Sequence, residues 1–233
     1  MRWDNIASRW AGARWLGGLA LGLLGGPAHG QAPDGWAFKT TPQHLVLSGF
    51  WLEAEHARPG HPAQTFTLGP QLYWGPVGRP DASFDIHHAR YRELVRGAGL
   101  QAQHRFYLAE PGAGRAFATG FYLGYSPQIQ FFRLHFGRND QWHEEAGPGG
   151  LPYLVYGPLR YRETVLRYGV AAQAGYQLAL ASWALLDVYA GVGVRKSHSW
   201  STFGESQFRS GPSDYAHQGV YFPAGFKLGV ALR

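Results

Sequence analysis

Seven stretches of this 233-residue chain alternate apolar with polar side chains, and no other feature restricts its possible folds as much. Successive side chains of a strand point to opposite faces, so a period of two makes each stretch an amphipathic β-strand. Phe50-Trp51-Leu52-Glu53-Ala54-Glu55-His56 runs into the turn Arg58-Pro59-Gly60-His61-Pro62, and Thr65-Phe66-Thr67-Leu68 leaves it. Residues 100–108 enter Glu110-Pro111-Gly112-Ala113-Gly114, and residues 117–131 leave it. Residues 170–178 enter Leu180-Ala181-Ser182-Trp183, and Leu186-Asp187-Val188-Tyr189-Ala190 leaves it. Three tight turns separated by long irregular segments imply antiparallel hairpins whose short connections share one end.

The alternation assigns faces. Phe50, Leu52 and Ala54 oppose Trp51, Glu53 and Glu55; Leu100, Ala102, Phe106 and Leu108 oppose Gln101, Gln103, Arg105 and Tyr107. Phe117, Phe121, Leu123, Tyr125, Ile129 and Phe131 oppose Ala118, Gly120, Tyr122 and Gly124, and the later strands follow the same rule. Pooled, the polar faces carry Glu53, Glu55, Arg105, Asp187, Arg195 and Lys227, three acids and three bases. Charges in an interior must be paired and hydrogen-bonded, so a balanced set suits a narrow, filled enclosure. Glycine on the same faces leaves room for the long side chains. Periodicity alone does not decide whether the polar face points inward or to water.

Composition bears on that choice. Charged residues make up 15% of the chain, against roughly 25% in ordinary soluble domains, while 33 residues are glycine and aromatics reach 15%. Mean hydropathy is −0.26, and no window offers the 18 or more apolar residues of a membrane-spanning helix. A transmembrane β-barrel reconciles these values, because only alternate residues face lipid. The net charge of +6 rests mainly on scattered arginines, the only lysines being Lys39, Lys196 and Lys227. Without a dense basic run, anionic lipid and lipopolysaccharide phosphates are better partners than nucleic acid. Cysteine is absent, which excludes disulfides, thiol nucleophiles and thiolate metal sites.

Residues 1–30 read as a secretory signal peptide: Arg2, Arg9 and Arg14 precede an apolar segment of about 11 residues, and Ala28-His29-Gly30 resembles a cleavage site. Residues 31–233 then form the barrel. Short turns of bacterial barrels are periplasmic and long loops are external. If the three tight turns are periplasmic, a strand must precede residue 47, and Trp36-Ala37-Phe38-Lys39-Thr40 supplies it. The predicted fold is therefore all-β, an eight-stranded antiparallel up-and-down transmembrane β-barrel. Its external loops fall near 41–46, 77–95, 134–162 and 198–216. Phe66, Phe106, Phe117 and Tyr176 would form the periplasmic aromatic girdle, and Trp74, Tyr125, Phe131, Tyr168 and Phe222 the outer one.

Ala37-Phe38-Lys39-Thr40-Thr41-Pro42 leading into Leu52-Glu53-Ala54-Glu55-His56-Ala57, Gly120-Phe121-Tyr122-Leu123-Gly124-Tyr125 after a tight turn, and the closing Gly225-Phe226-Lys227-Leu228-Gly229 carry a family likeness. Through them the chain resembles the small outer-membrane β-barrel proteins of the OmpA/OmpX type, above all uncharacterised barrels of Bacteroidetes. The resemblance spans most of residues 36–233. It implies a monomer in the cell outer membrane, inserted by the barrel assembly machinery, with no agreed activity. Such chains usually end on an aromatic residue, whereas this one ends Leu232-Arg233, with apolar residues still at 226, 228, 230 and 232.

Two motifs suggest chemistry. Asp85, His87 and His88 could approach a divalent metal, yet adjacent histidines diverge in an extended chain and no third ligand stands at fixed spacing, so no metal and no cofactor is expected. His198 with Ser197 or Ser199 (Ser201, Asp214 and His217 standing near) could serve a lipid acyl hydrolase at the rim, since nucleophilic catalysis needs Ser within reach of a base. Ser197 and Ser199 flank His198 and would face the opposite way on a strand. The expected function is a structural or surface-interaction role without catalysis. The alternatives are a rim enzyme acting on lipid A and a soluble periplasmic lipocalin-like binder.

Overall fold

The structure, a computed structural model, describes residues 35–77, 93–108, 117–203 and 214–232, except for the side chains of 138–141. The proposed leader and Asp85, His87 and His88 lie outside the described residues. The chain is all-β: nine strands form one antiparallel sheet, and the described residues contain no α-helix. These are β1 (Trp36–Thr40), β2 (Gly49–Arg58), β3 (His61–Pro76), β4 (Leu94–Tyr107), β5 (Gly120–Ala146), β6 (Pro152–Ala179), β7 (Ala184–Ser201), β8 (Gly219–Tyr221) and β9 (Ala224–Leu232). Each pairs with its sequence neighbour from β1 to β7, β7 pairs with β9, and β9 returns to β1. The result is a closed ring of eight strands. The ninth, β8, continues the line of β9 beside β7 after the break at Phe222-Pro223, where proline has no N–H for the ladder.

Strand β1 occupies the segment predicted for it, and its pairings explain why five residues suffice. Trp36 to Thr40 lie opposite His56 to Leu52 on one side and Leu232 to Leu228 on the other. Above Thr40 the ring wall is continued by a 3-10 helix (Pro42–Leu47). Ser48, in a left-handed conformation with φ of 54°, ends this helix, and its Oγ donates to the Pro76 carbonyl at 2.6 Å.

One end of the ring, called the terminal end below, gathers Trp36 at the start of β1, Leu232 at the end of β9, the Pro59-Gly60 turn and the turn 180–183. The opposite, loop end carries the 3-10 helix and the segment 214–218. Alternation is respected throughout, and it settles the question of faces: Glu53, Glu55, Arg105, Asp187 and Lys227 are buried inside, while Leu52, Leu72, Trp74 and Val194 are more than half exposed outside.

The structure corrects the sequence in three places. The predicted loop 134–162 is a ribbon of two strands: β5 and β6 pair from Gly120↔Gln177 to Ala146↔Pro152 and turn through 147–151. Beyond His135 and Glu163 the ribbon, among the described residues, has no strand partner in β4 or β7 and continues as a two-stranded hairpin. Its inward residues Phe132, Leu134, Phe136, Tyr161 and Val165 build an apolar core with Tyr73, Val95 and Tyr215. Second, Phe117 is not an outward girdle residue. It folds into the terminal end, where with Ala37, Tyr107, Ala118, Tyr122, Leu185 and Ala231 it forms an apolar stopper. Third, Tyr125 lies level with His104 and Phe66, on the terminal-end side, and its hydroxyl stands 3.2 Å from His104 Nδ1.

Candidate functional site

Between the two apolar clusters the ring is filled by polar side chains, and five of the six predicted interior charges meet there. Glu55 accepts hydrogen bonds from Lys39 Nζ, from Arg105 Nη1 at 3.1 Å, from Thr65 Oγ1 at 2.5 Å and from Tyr107 OH at 3.1 Å. Asp187 accepts from Arg105 Nη1 at 2.8 Å, Lys39 Nζ at 3.2 Å and Tyr122 OH at 2.8 Å. Glu53 holds Lys227 Nζ at 2.6 Å. Arg105 lies over the Tyr122 ring, 4.6 Å from its centroid, and its Nε donates to Gln103 Oε1 at 2.8 Å. Gln177 accepts from Lys39, Arg105 and Tyr107 while its own amide donates to the Ala118 carbonyl at 2.6 Å, tying the network to the stopper.

The set therefore holds three acids, Glu53, Glu55 and Asp187, against three bases, Lys39, Arg105 and Lys227. Burying six charges is tolerable only at this balance, with further lone pairs and protons bound by Gln, Thr and Tyr. Lys39 and Gln177 were missed as members, although both stand at inward positions of their strands. Lys39 sits on a strand too short to display its own pattern, and Gln177 carries no charge to mark it.

Glycine makes the space. A Cβ on Gly175 would stand 2.5 Å from the Tyr122 ring, and one on Gly229 would stand 2.6 Å from Lys39 Cγ. Both glycines face the largest interior side chains, so the small and large residues are matched across the ring.

The sixth predicted charge, Arg195, sits nearer the loop end in a second polar group. Its guanidinium lies over the Tyr221 ring at 4.8 Å, and its Nε donates to His217 Nδ1 at 3.2 Å. Arg167, which the sequence reading passed over, is its companion. Arg167 Nε donates to Gln130 Oε1 at 2.7 Å and Nη1 to the Asp214 carbonyl at 3.1 Å, and the guanidinium lies 5.0 Å from the Phe132 centroid. Both acceptors are neutral, and Arg167 has no ion pair among the described residues.

These arginines line a cavity of about 250 Å³ with Gln101, Gln128, Trp51 and Tyr221. The 3-10 helix roofs one side: the His44 ring stacks on Trp51 with centroids 3.6 Å apart. Burial, followed by the charges of Lys227 and Arg167, lowers the His44 pKa to about 4. Burial and the nearby Arg195 and Arg167 also lower that of His217.

The serine and histidine candidates do not assemble. His198 is exposed on the outer face, its Nε2 3.4 Å from Tyr168 OH and its ring between Tyr168 and Trp200. Ser197 is buried inside, donating to the Ala216 carbonyl at 2.5 Å, and Ser199 takes the same side of the strand as Ser197. Ser201 Oγ donates to the Phe203 carbonyl at 2.8 Å, and His217 is engaged by Arg195. Among the described residues no group of three or more His, Asp or Glu is placed to hold a metal ion. No protein-family model matches the chain, and no curated protein is similar to it.

Proposed function

We propose that the chain is a small transmembrane β-barrel of a Gram-negative outer membrane, with a structural or surface-interaction role and no catalysis. One observation carries this. Around a closed ring, the charged side chains are inside and the large apolar ones outside, the reverse of a water-soluble fold. A lipocalin-like binder would need the opposite arrangement, with an apolar cavity and a polar exterior.

Strand lengths support it as well. A spanning strand needs about 9–11 residues, and β2 has 10, β4 has 14 and β7 has 18. Exposed Trp36, Phe66, Phe106 and Tyr176 cluster toward the terminal end, and Trp74, Tyr168 and Phe222 toward the loop end, as two interfacial belts would. The terminal end is then periplasmic and the β5–β6 ribbon projects from the cell, with Trp142, Tyr153 and Tyr156 exposed for contact.

The charge network and the stopper fill the bore, so general solute conduction is not part of the role. The resemblance to OmpA/OmpX-type barrels leads to the same place, with lipopolysaccharide and membrane lipids as surroundings and the barrel assembly machinery as inserter. The rim-enzyme alternative lacks its central feature, because His198 and Ser197 lie on opposite faces of β7.

Cell fractionation with gel electrophoresis tests the proposal. The protein is expected in the outer-membrane fraction, with a mobility that changes on boiling. Recovery in the soluble fraction after lysis would overturn it.

A further inference from the structure

We propose that the loop-end cavity is a binding site for a sugar-sized hydroxylated ring bearing one oxyanion group, a carboxylate or a phosphate, held by Arg167. The inference does not depend on the membrane assignment, because it rests on the cavity alone.

Three features of the cavity converge on that chemistry. The first is electrostatic. In the network below, the chain shows how it accommodates buried cations: Lys39, Arg105 and Lys227 each touch a carboxylate. Arg167 is also buried, at 8% exposure, yet among the described residues its hydrogen bonds go to an amide oxygen and a backbone carbonyl and to no carboxylate. A buried cation with neutral acceptors alone is costly, and a guanidinium fork is suited to bind a carboxylate or phosphate through two parallel hydrogen bonds. An anion arriving from the loop end would supply the missing charge.

The second feature is the lining. Trp51 and Tyr221 supply aromatic rings, and Gln101 and Gln128 supply amides that both donate and accept. A hydroxylated ring uses both kinds of partner, packing its C–H face on an aromatic and pairing its hydroxyls with amides. Gln128 is already positioned, its Nε2 donating to Tyr221 OH at 2.8 Å.

The third is size and field. A volume of about 250 Å³ corresponds to about eight waters, enough for one monosaccharide and too small for an acyl chain or an oligosaccharide. Positive charge gathers at the site: after the larger effect of burial, Arg167 contributes to lowering the pKa of both His44 and His217. Lys227, paired with Glu53, lines the cavity on the side of the charge network.

Isothermal titration calorimetry on the full chain in detergent decides the matter, with four probes: glucuronate, glucose 6-phosphate, glucose and inorganic phosphate. At least one acidic sugar is expected to bind about tenfold or more tightly than both glucose and inorganic phosphate, since a charge-assisted hydrogen bond supplies at least that ratio. Which of the two binds identifies the oxyanion. Arg167→Gln is expected to abolish the advantage over glucose. Arg167→Lys keeps the charge but not the fork, so it should fold like the parent and bind severalfold more weakly; it decides the outcome if Arg167→Gln does not fold. Overturning results are equal binding of glucose or inorganic phosphate and the acidic sugars, no heat from any probe, or unchanged affinity in Arg167→Lys.

Discussion

The two polar groups inside the ring handle buried charge in different ways. Toward the terminal end, three carboxylates and three cations lie within hydrogen-bond distance of one another, and Thr65, Tyr107, Tyr122 and Gln177 occupy lone pairs and protons that the charges leave over. Toward the loop end, Arg167 has amide and backbone acceptors, and beside it lies a cavity. The first arrangement balances its charges within itself and acts as a seal. The second is complete only as far as neutral groups allow, which is the condition for taking up an anion. The contrast shows that polarity inside such a ring is not one property: a closed, neutral network fixes the fold, and a cation with neutral neighbours leaves something to bind.

The largest expected effect breaks the sealed half. Arg105→Ala removes the one cation that reaches Glu53, Glu55 and Asp187, leaving carboxylates buried without enough counter-charge. It should cost about 3–5 kcal/mol in urea unfolding of the detergent- or lipid-reconstituted protein. Arg167→Met, which fills a similar volume, should change stability by less than about 1 kcal/mol, since only hydrogen bonds to neutral acceptors are lost. Equal losses in the two variants would erase the distinction between the halves.

An intermediate effect comes from the matched glycines. Gly175→Val places methyl groups where the Tyr122 ring lies, forcing that ring from Asp187. Overpacking of this kind should cost about 1–3 kcal/mol, measurable as a lower unfolding midpoint with loss of near-ultraviolet tyrosine dichroism. A neutral result would mean that the interior is looser than the contacts imply.

The smallest effect sharpens the loop-end half through pH. The ordinary His44 pKa of 6.5 is lowered to about 4, so the unfolded chain binds the His44 proton more readily than the folded one between those values. The associated stability is present above pH 6.5 and is lost as pH falls toward 4. Nuclear magnetic resonance titration should place the His44 midpoint near pH 4, and the stability difference between the parent and His44→Asn should shrink over the same window. A midpoint near 6.5 would show that the roof over the cavity is open to water.

Much of the molecule was legible beforehand because it follows from local periodicity. Glu53 and Glu55, Arg105, Asp187 and Lys227 were assigned to one side of their strands by alternation, and the pleat leaves no other choice. Trp36-Ala37-Phe38-Lys39-Thr40 was identified as a strand because an even number of crossings required it. The failures are equally physical. Residues 134–162 are rich in Gly, Pro and charged residues, and in a free two-stranded ribbon both faces can reach solvent, so the alternation that marks a half-buried strand fades there. Phe117 follows a tight turn at the correct parity for an outward residue, but strand β5 starts only at Gly120, so parity counted from Phe117 had no meaning.

By itself, then, the sequence determined most of the strands and the face on which each of their side chains lies. Only the tertiary structure decided which of those charges share a height. In a closed ring, strand stagger sets the height of each residue, and stagger depends on the registers of all eight strands together. That is why Lys39, and not Arg195, joins Glu55 and Asp187, and why Arg195 is found with Arg167 beside a cavity that no stretch of sequence announces. The direction of the apolar face was decided at the same level, because inside and outside exist only once the ring has closed.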